Sequence, residues 1–256
     1  MIKEIRVSEL LSWKHCHRQH HFQYVEQLEQ LDRPINFASG TAVHKTIEAI
    51  VRKEVTLAAS NGYAENYLRE EFVGRDNVEV LVKKYLPGVI NAISKAPNLI
   101  NEGEWHVEER IERDCGDVVI TGHPDMYRIH DNTVDLVEIK TTDNHPLDYL
   151  LFNPQHRYYG VMLSEMYPDC VVQFTYVCLP TQGKASQLHS PWVFTTAQID
   201  AARREMVETI EEIGRDSKPN YTKGCSYCEY NEICMSMITG SSGEGVKMEK
   251  FARRVK

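Results

Sequence analysis

The stretch Gly122-His123-Pro124-Asp125, followed after a turn by Val134-Asp135-Leu136-Val137-Glu138-Ile139-Lys140, decides the reading of this chain. Side chains on a strand alternate between faces, so Glu138 and Lys140 point one way and Val137 and Ile139 the other, toward a core. Two opposite charges are thereby delivered to one place. With Asp125 at the end of the neighbouring strand, two carboxylates meet, and the backbone carbonyl of Ile139 adds a further oxygen. Hard oxygen donors suit Mg²⁺ or Mn²⁺. Such an ion polarises a phosphodiester and acidifies a bound water, leaving Lys140 to orient or deprotonate that water and offset charge developing on phosphorus. The expected chemistry is phosphodiester hydrolysis. A Glu/Lys pair facing solvent is the plain alternative for the tripeptide alone, and the surrounding sequence weighs against it.

Gln155-His156-Arg157-Tyr158-Tyr159 follows Asn153-Pro154, where proline suits the start of a helix. Helical spacing sets Gln155 and Tyr159 on one face, placing an amide and a phenol for substrate phosphates or the attacking water. Tyr158 packs inward. His44 falls in the first turn of a helix expected over 41–59 and offers an imidazole to the same ion; alone it would read as a satisfied surface or core histidine.

Upstream, Leu10 to Val25 reads as one partly buried helical opening, with Cys16 inside it. After Asn61-Gly62 a helix-compatible region runs to Leu86, where Pro87-Gly88 interrupts it before a short helix to Lys95. Alternating stretches at 104–113, 117–122, 125–129 and 134–139 predict strands and hairpins, and Val171 to Leu179 another strand. Ile199, Met206, Ile210 and Ile213 mark a helix ending near Gly214. The fold class is α/β, with a mixed sheet flanked by helices. One domain is expected over 1–238, its N-terminal helices and C-terminal cysteine segment joined as one lobe, with 239–256 a flexible basic tail.

The chain has 256 residues and a formal charge of −8, with 37 acidic residues against 29 Lys and Arg, which excludes a protein coated in positive charge. Nucleic-acid contact must then be focused and salt-sensitive, with Lys3, Arg6, Lys14, Arg18, Arg157 and the basic tail as candidate phosphate contacts. Trp13, Tyr24 and Tyr227 are candidates for stacking on exposed bases. No apolar run of about 18 residues occurs and the start is charged, so a soluble protein of the cytoplasm, or of the host-cell cytoplasm if viral, is expected, with no membrane partner.

Seven cysteines, an odd number and widely spaced, argue against a disulfide scaffold. Cys225-Ser226-Tyr227-Cys228 with Cys234 gathers three thiolates, and Cys16 is the candidate fourth ligand. Four thiolates suit zinc and iron–sulfur alike. Cys115, Cys170 and Cys178 read as packing residues.

In order along the chain, Gly40-Thr41-x-x-His44, Gly122-His123-Pro124-Asp125, Glu138-Ile139-Lys140 and Gln155-x-x-x-Tyr159 resemble the PD-(D/E)XK nucleases. The likeness is to the branch containing RecB-type nuclease domains and the CRISPR-associated Cas4 proteins. It implies a restriction-endonuclease-like core with an iron–sulfur-stapled lobe. It further implies His44, Asp125 and Glu138 as metal ligands, Lys140 as the catalytic lysine, Gln155 and Tyr159 as its support, and a [4Fe-4S] cluster on Cys16, Cys225, Cys228 and Cys234. The function expected is a Mg²⁺- or Mn²⁺-dependent DNA exonuclease acting mainly at single-stranded ends. The alternatives are a Cas4-like end processor in spacer acquisition, working with integrase, recombination or replication proteins, and a noncatalytic DNA-binding assembly protein.

Overall fold

In a computed structural model, residues 3–31, 36–96, 103–142, 152–182, 187–213 and 223–254 are described. The strands are β1 (Lys3–Arg6), β2 (Leu28–Gln30), β3 (His106–Val107), β4 (Ile111–Asp114), β5 (Val118–Gly122), β6 (Met126–His130), β7 (Thr133–Thr141), β8 (Val171–Leu179), β9 (Gln187–Val193) and β10 (Phe251–Arg253). The α-helices are α1 (Val7–His15), α2 (His17–His20), α3 (Asn36–Val51), α4 (Ser60–Glu71), α5 (Val78–Ser94), α6 (Gln155–Met166), α7 (Thr196–Glu212), α8 (Asn231–Ile238) and α9 (Glu244–Lys250), with a π-helical turn at His21–Val25 and 3-10 turns at Leu57–Ala59 and Lys223–Tyr227. The helix end expected near Gly214 lies outside the described residues. None of the described helices is long and apolar enough to cross a membrane.

Two compact units divide the chain, one of Pro34–Arg113 with Thr121–Ala202, the other of Met1–Arg33, Asp114–Ile120 and Arg203–Lys256. The first is built on a five-stranded sheet of order β3-β6-β7-β8-β9 among the described residues. β7 and β8 run parallel, with Glu138 opposite Tyr176, and every other neighbouring pair is antiparallel. The parallel step needs a crossover, which α6 supplies. Val137 and Ile139 of β7 and Val177 and Leu179 of β8 join one core with Ala42, Val43 and Ile47 of α3 and the buried residues of α4 and α5. The alternate residues of β7, Glu138 and Lys140, reach α6 instead. The sheet is thus covered on both faces.

Helix α3 starts five residues before the expected position and ends at Val51, so His44 stands in its middle rather than its first turn. α5 runs unbroken through Pro87. An interior proline costs about 3 kcal/mol, chiefly through the hydrogen bond it cannot donate. Lys83, whose carbonyl loses that donor, is exposed and can turn to water. Val82, Val89 and Ile93 bury their side chains on the opposite side, each burial contributing ~1.5–3 kcal/mol. Packing outweighs the local signal.

In the second unit the helical opening is broken rather than continuous. Cys16 adopts an extended conformation, φ −162° and ψ 118°, between α1 and α2. Residues Glu244–Arg253, expected within a flexible tail, form α9 and β10, and β10 pairs antiparallel with β2. Two causes are visible. Phe251 packs against Tyr230 at 5.4 Å within a core that includes Phe22, Leu28 and Ile233. Lys247 pairs with Glu26 at 2.6 Å and Lys250 with Glu232 at 2.5 Å, so the basic residues are matched by carboxylates.

Candidate active site

The site gathers at the C-terminal end of β7. Antiparallel pairing sets Met126 opposite Val137, which brings Asp125, one residue before β6, beside Glu138. The Ile139 N–H donates to Asp125 Oδ2 at 2.7 Å and fixes that carboxylate. Its other oxygen lies 3.3 Å from His44 Nδ1. Burial alone would push the Asp125 carboxyl up, but His44, the Lys140 ammonium and the Ile139 N–H outweigh it and hold it below its ordinary range. Burial works against the charged form of His44, and the Asp125 carboxylate overcomes it and raises the imidazole's pKa.

Glu108 completes a trio that sequence reasoning missed. β3 ends at Val107, and Glu108 takes a left-handed φ of 50°, which is uncommon for a residue with a side chain. Its N–H donates to the Asp125 carbonyl at 3.2 Å, and its own carbonyl accepts from His123 Nδ1 at 3.0 Å. The side chain is thereby turned so that donor atoms of His44, Glu108 and Asp125 all lie within 4.8 Å of one another. Burial, and then the nearby Asp125, pushes the Glu108 carboxyl up. One imidazole nitrogen and two carboxylates form a donor set that fits Mn²⁺ and Mg²⁺.

Glu138 stands apart from that trio among the described residues. It is 1% exposed, accepts from Lys140 Nζ at 3.1 Å and from Gln155 Nε2 at 3.4 Å, and lies close enough to Asp125 to feel its charge. Burial, then Asp125, pushes its pKa up to about 8 against the pull of Lys140. Gln155 is held in turn, its N–H donating to Asn153 Oδ1 at 2.9 Å and its Oε1 accepting from Lys140 Nζ at 3.4 Å. Tyr159, one turn on, donates its hydroxyl to the His123 carbonyl at 3.1 Å. Burial and Glu138 raise its pKa, so it is a neutral hydrogen-bonding phenol. The backbone of Ile139 enters through its N–H to Asp125. Of the sequence candidates the structure therefore brings together His44, Asp125, Glu138, Ile139, Lys140, Gln155 and Tyr159. His156 instead serves the core, its ring stacked on Phe174 at 4.5 Å and its pKa lowered to about 4 by burial and Arg157.

The four singled-out cysteines belong to the other unit, and none is in a disulfide. Burial pushes the Cys228 thiol up; the Tyr230 backbone opposes this, and Cys234 and Cys16 add to it. Cys234 is raised by burial and then by Cys16, with Cys225 also contributing. The distant Cys16 and the three late cysteines are therefore neighbours in space. Trp13, a candidate for base stacking, is only 2% exposed and lies stacked on His17 at 3.9 Å, whereas Tyr227 is 94% exposed.

The family model of the PD-(D/E)XK nuclease superfamily matches residues 5–235. The chain belongs to that superfamily. PD-(D/E)XK nucleases use divalent metals, which agrees with the His44, Glu108 and Asp125 donors, and membership implies a DNA substrate. A solved structure described as "Putative exonuclease" from Eubacterium rectale superposes with a TM-score of 0.56 at 10% identity, covering 93% of each chain. That likeness extends the PD-(D/E)XK assignment to the fold. A second solved structure, SSO0001, gives a TM-score of 0.37 at 15% identity over 89% of this chain and 95% of its own. A search of curated proteins returned no match.

Proposed function

We propose that this PD-(D/E)XK nuclease is a divalent-metal-dependent DNA exonuclease acting mainly at single-stranded ends. The observation that carries the reading is the convergence of His44, Glu108 and Asp125 beside the Glu138, Lys140 and Gln155 cluster. His44, Glu108 and Asp125 would hold Mg²⁺ or Mn²⁺, which when bound would supply electrophilic activation of the phosphodiester and acidify water. Glu138, sequestered beneath, would join the ligands through a carboxylate oxygen once its proton is lost, with the Ile139 carbonyl as a further oxygen donor. Lys140, 27% exposed in its side chain, places a positive charge where charge develops on phosphorus. Gln155 orients Lys140, and Tyr159 steadies the His123-Pro124-Asp125 turn from below. End-directed action is favoured by the neighbour described as "Putative exonuclease".

For the second unit, the proposal is a [4Fe-4S] cluster on Cys16, Cys225, Cys228 and Cys234, closing the N- and C-terminal segments on each other. The mutual influence of the four thiols supports it. The test is cleavage of 5′- and 3′-labelled single strands with Mg²⁺ or Mn²⁺. Short products accumulating from one end support exonuclease action, and internal fragments appearing first would refute it.

A further inference from the structure

Beside the active site lies a groove of about 590 Å³ that none of the proposed catalytic residues lines. Its floor is the first turn of α3, where Phe37 and Gly40 face it, and its walls are Lys84 and Tyr85 of α5 and the Thr141-Thr142 end of β7. Thr181 and Gln182 close one side. The groove is continuous in the chain with the reacting centre at two points. Gly40 stands one helical turn before His44, and Thr141 directly follows Lys140.

We infer that this groove holds the single nucleic-acid strand adjoining the scissile phosphate, with Phe37 as a stacking platform for a base and Gly40 as the clearance that lets the strand in. The inference rests on the nuclease reading and adds the path of the substrate to it. Phe37 is 67% exposed and its side chain lines the groove. An aromatic face beside a cation is the pairing that single-strand binding uses, since every base has a π face and every linkage a negative charge. Lys84 supplies that cation, its ammonium 5.1 Å from the Tyr85 ring. Thr142 and Thr181 line its polar edge, and the first turns of α3 bring that helix's positive end to the same space. Gly40 explains itself by what it lacks: a Cβ built there meets nothing within 4 Å, so its side faces open groove. A glycine inside a helix costs about 1 kcal/mol relative to alanine. Here that cost keeps the groove clear.

Two variants test this. Gly40→Leu puts a good helix former at a position whose Cβ meets nothing within 4 Å, and projects a side chain into the groove. Phe37→Ala removes the platform and touches no catalytic residue. Binding of a fluorescein-labelled oligothymidylate is followed by anisotropy with Ca²⁺ in place of Mg²⁺, and thermal melting and Mn²⁺ affinity are measured alongside. The expected result is binding about tenfold weaker for Phe37→Ala, the size of one lost base stack, restored by Phe37→Trp. Gly40→Leu is expected to lose at least as much, with unchanged Mn²⁺ affinity and undiminished melting temperature. If both variants bind and degrade the oligonucleotide as the wild type does, the groove is not the strand path, while hydrolysis stands. If wild type binds and Gly40→Leu does not, yet neither cleaves with Mg²⁺ or Mn²⁺, the groove stands and hydrolysis falls. Wild-type protein that fails to bind a single strand overturns the inference.

Discussion

Replacing Glu138 by Gln should stabilise the metal-free protein at neutral and alkaline pH, although Glu138 sits at the centre of the site. Its side chain is 1% exposed and its pKa is pushed up to about 8 by burial and by Asp125. In the unfolded chain the same carboxyl titrates near 4.3. Between those values the folded protein holds a proton that the unfolded chain has released, so stability from this group is complete below the unfolded value. It is lost progressively as pH rises toward the folded one. By pH 7 the loss is on the order of 3 kcal/mol, since each unit of displacement corresponds to ~1.4 kcal/mol. Gln keeps the shape and cannot ionise. It is a poorer acceptor for the Lys140 ammonium than a carboxylate, which returns part of the gain. A net gain of about 2 kcal/mol remains, worth roughly 4–8 °C in Tm for a chain of this size. The assay is thermal melting of both proteins in chelator from pH 5 to 8.5. The two Tm values should nearly coincide at the acid end and separate as pH rises, with the variant higher. Adding Mn²⁺ should then raise the wild type more than the variant, because a cation beside Glu138 offsets the charge that the variant lacks. Parallel pH profiles, or a wild type that gains on the variant toward pH 8 in chelator, would refute the reasoning.

Further outcomes follow from other parts of the molecule. Asp125→Asn keeps the Ile139 N–H contact but removes a ligand charge, so Mn²⁺ affinity measured by calorimetry should fall at least tenfold with little change in Tm; unchanged affinity removes Asp125 from the ion. Glu108→Gln should also weaken Mn²⁺ binding, and its failure to do so would remove Glu108 from the ion. Cys228→Ser should abolish the visible absorbance and bound iron of anaerobically purified protein and lower its Tm; colourless, zinc-loaded wild type would overturn the cluster assignment. Phe251→Ala removes an aromatic from the core shared with Tyr230 and Ile233 and should cost about 3–5 kcal/mol of stability, read by denaturant unfolding.

Much of the site could be read from the sequence because its geometry is local or periodic. Glu138 and Lys140 share a face through the strand repeat of two, and Gln155 and Tyr159 through the helical repeat. The Asp125 position follows from a hairpin between β6 and β7. Glu108 was invisible because it falls inside the alternating stretch 104–113, which reads as one strand, whereas the chain breaks it between β3 and β4. Only the φ of 50° turns its carboxylate toward His44 and Asp125, and that torsion is fixed by bonds to residues far along the chain. Pro87 misled in the opposite way, since its strong local signal gave way to the burial of Val82, Val89 and Ile93. The tail misled because its lysines and arginines outnumber Val246 and Phe251, the two apolar side chains that pack it onto the core, and because the carboxylates that pair with Lys247 and Lys250 are set by the fold. Cysteine spacing gave the late trio, while the break that exposes Cys16 between α1 and α2 carries no helix-breaking residue.

The most direct test of the central claim compares wild type with Lys140→Ala on end-labelled single-stranded DNA in Mg²⁺, Mn²⁺ or chelator. Mn²⁺ affinity is measured on both proteins. Metal-dependent release of short products by wild type, lost in a variant that still binds Mn²⁺, is the predicted result. Equal cleavage by the two proteins, or none by metal-loaded wild type on single-stranded, duplex or overhanging DNA, would contradict it.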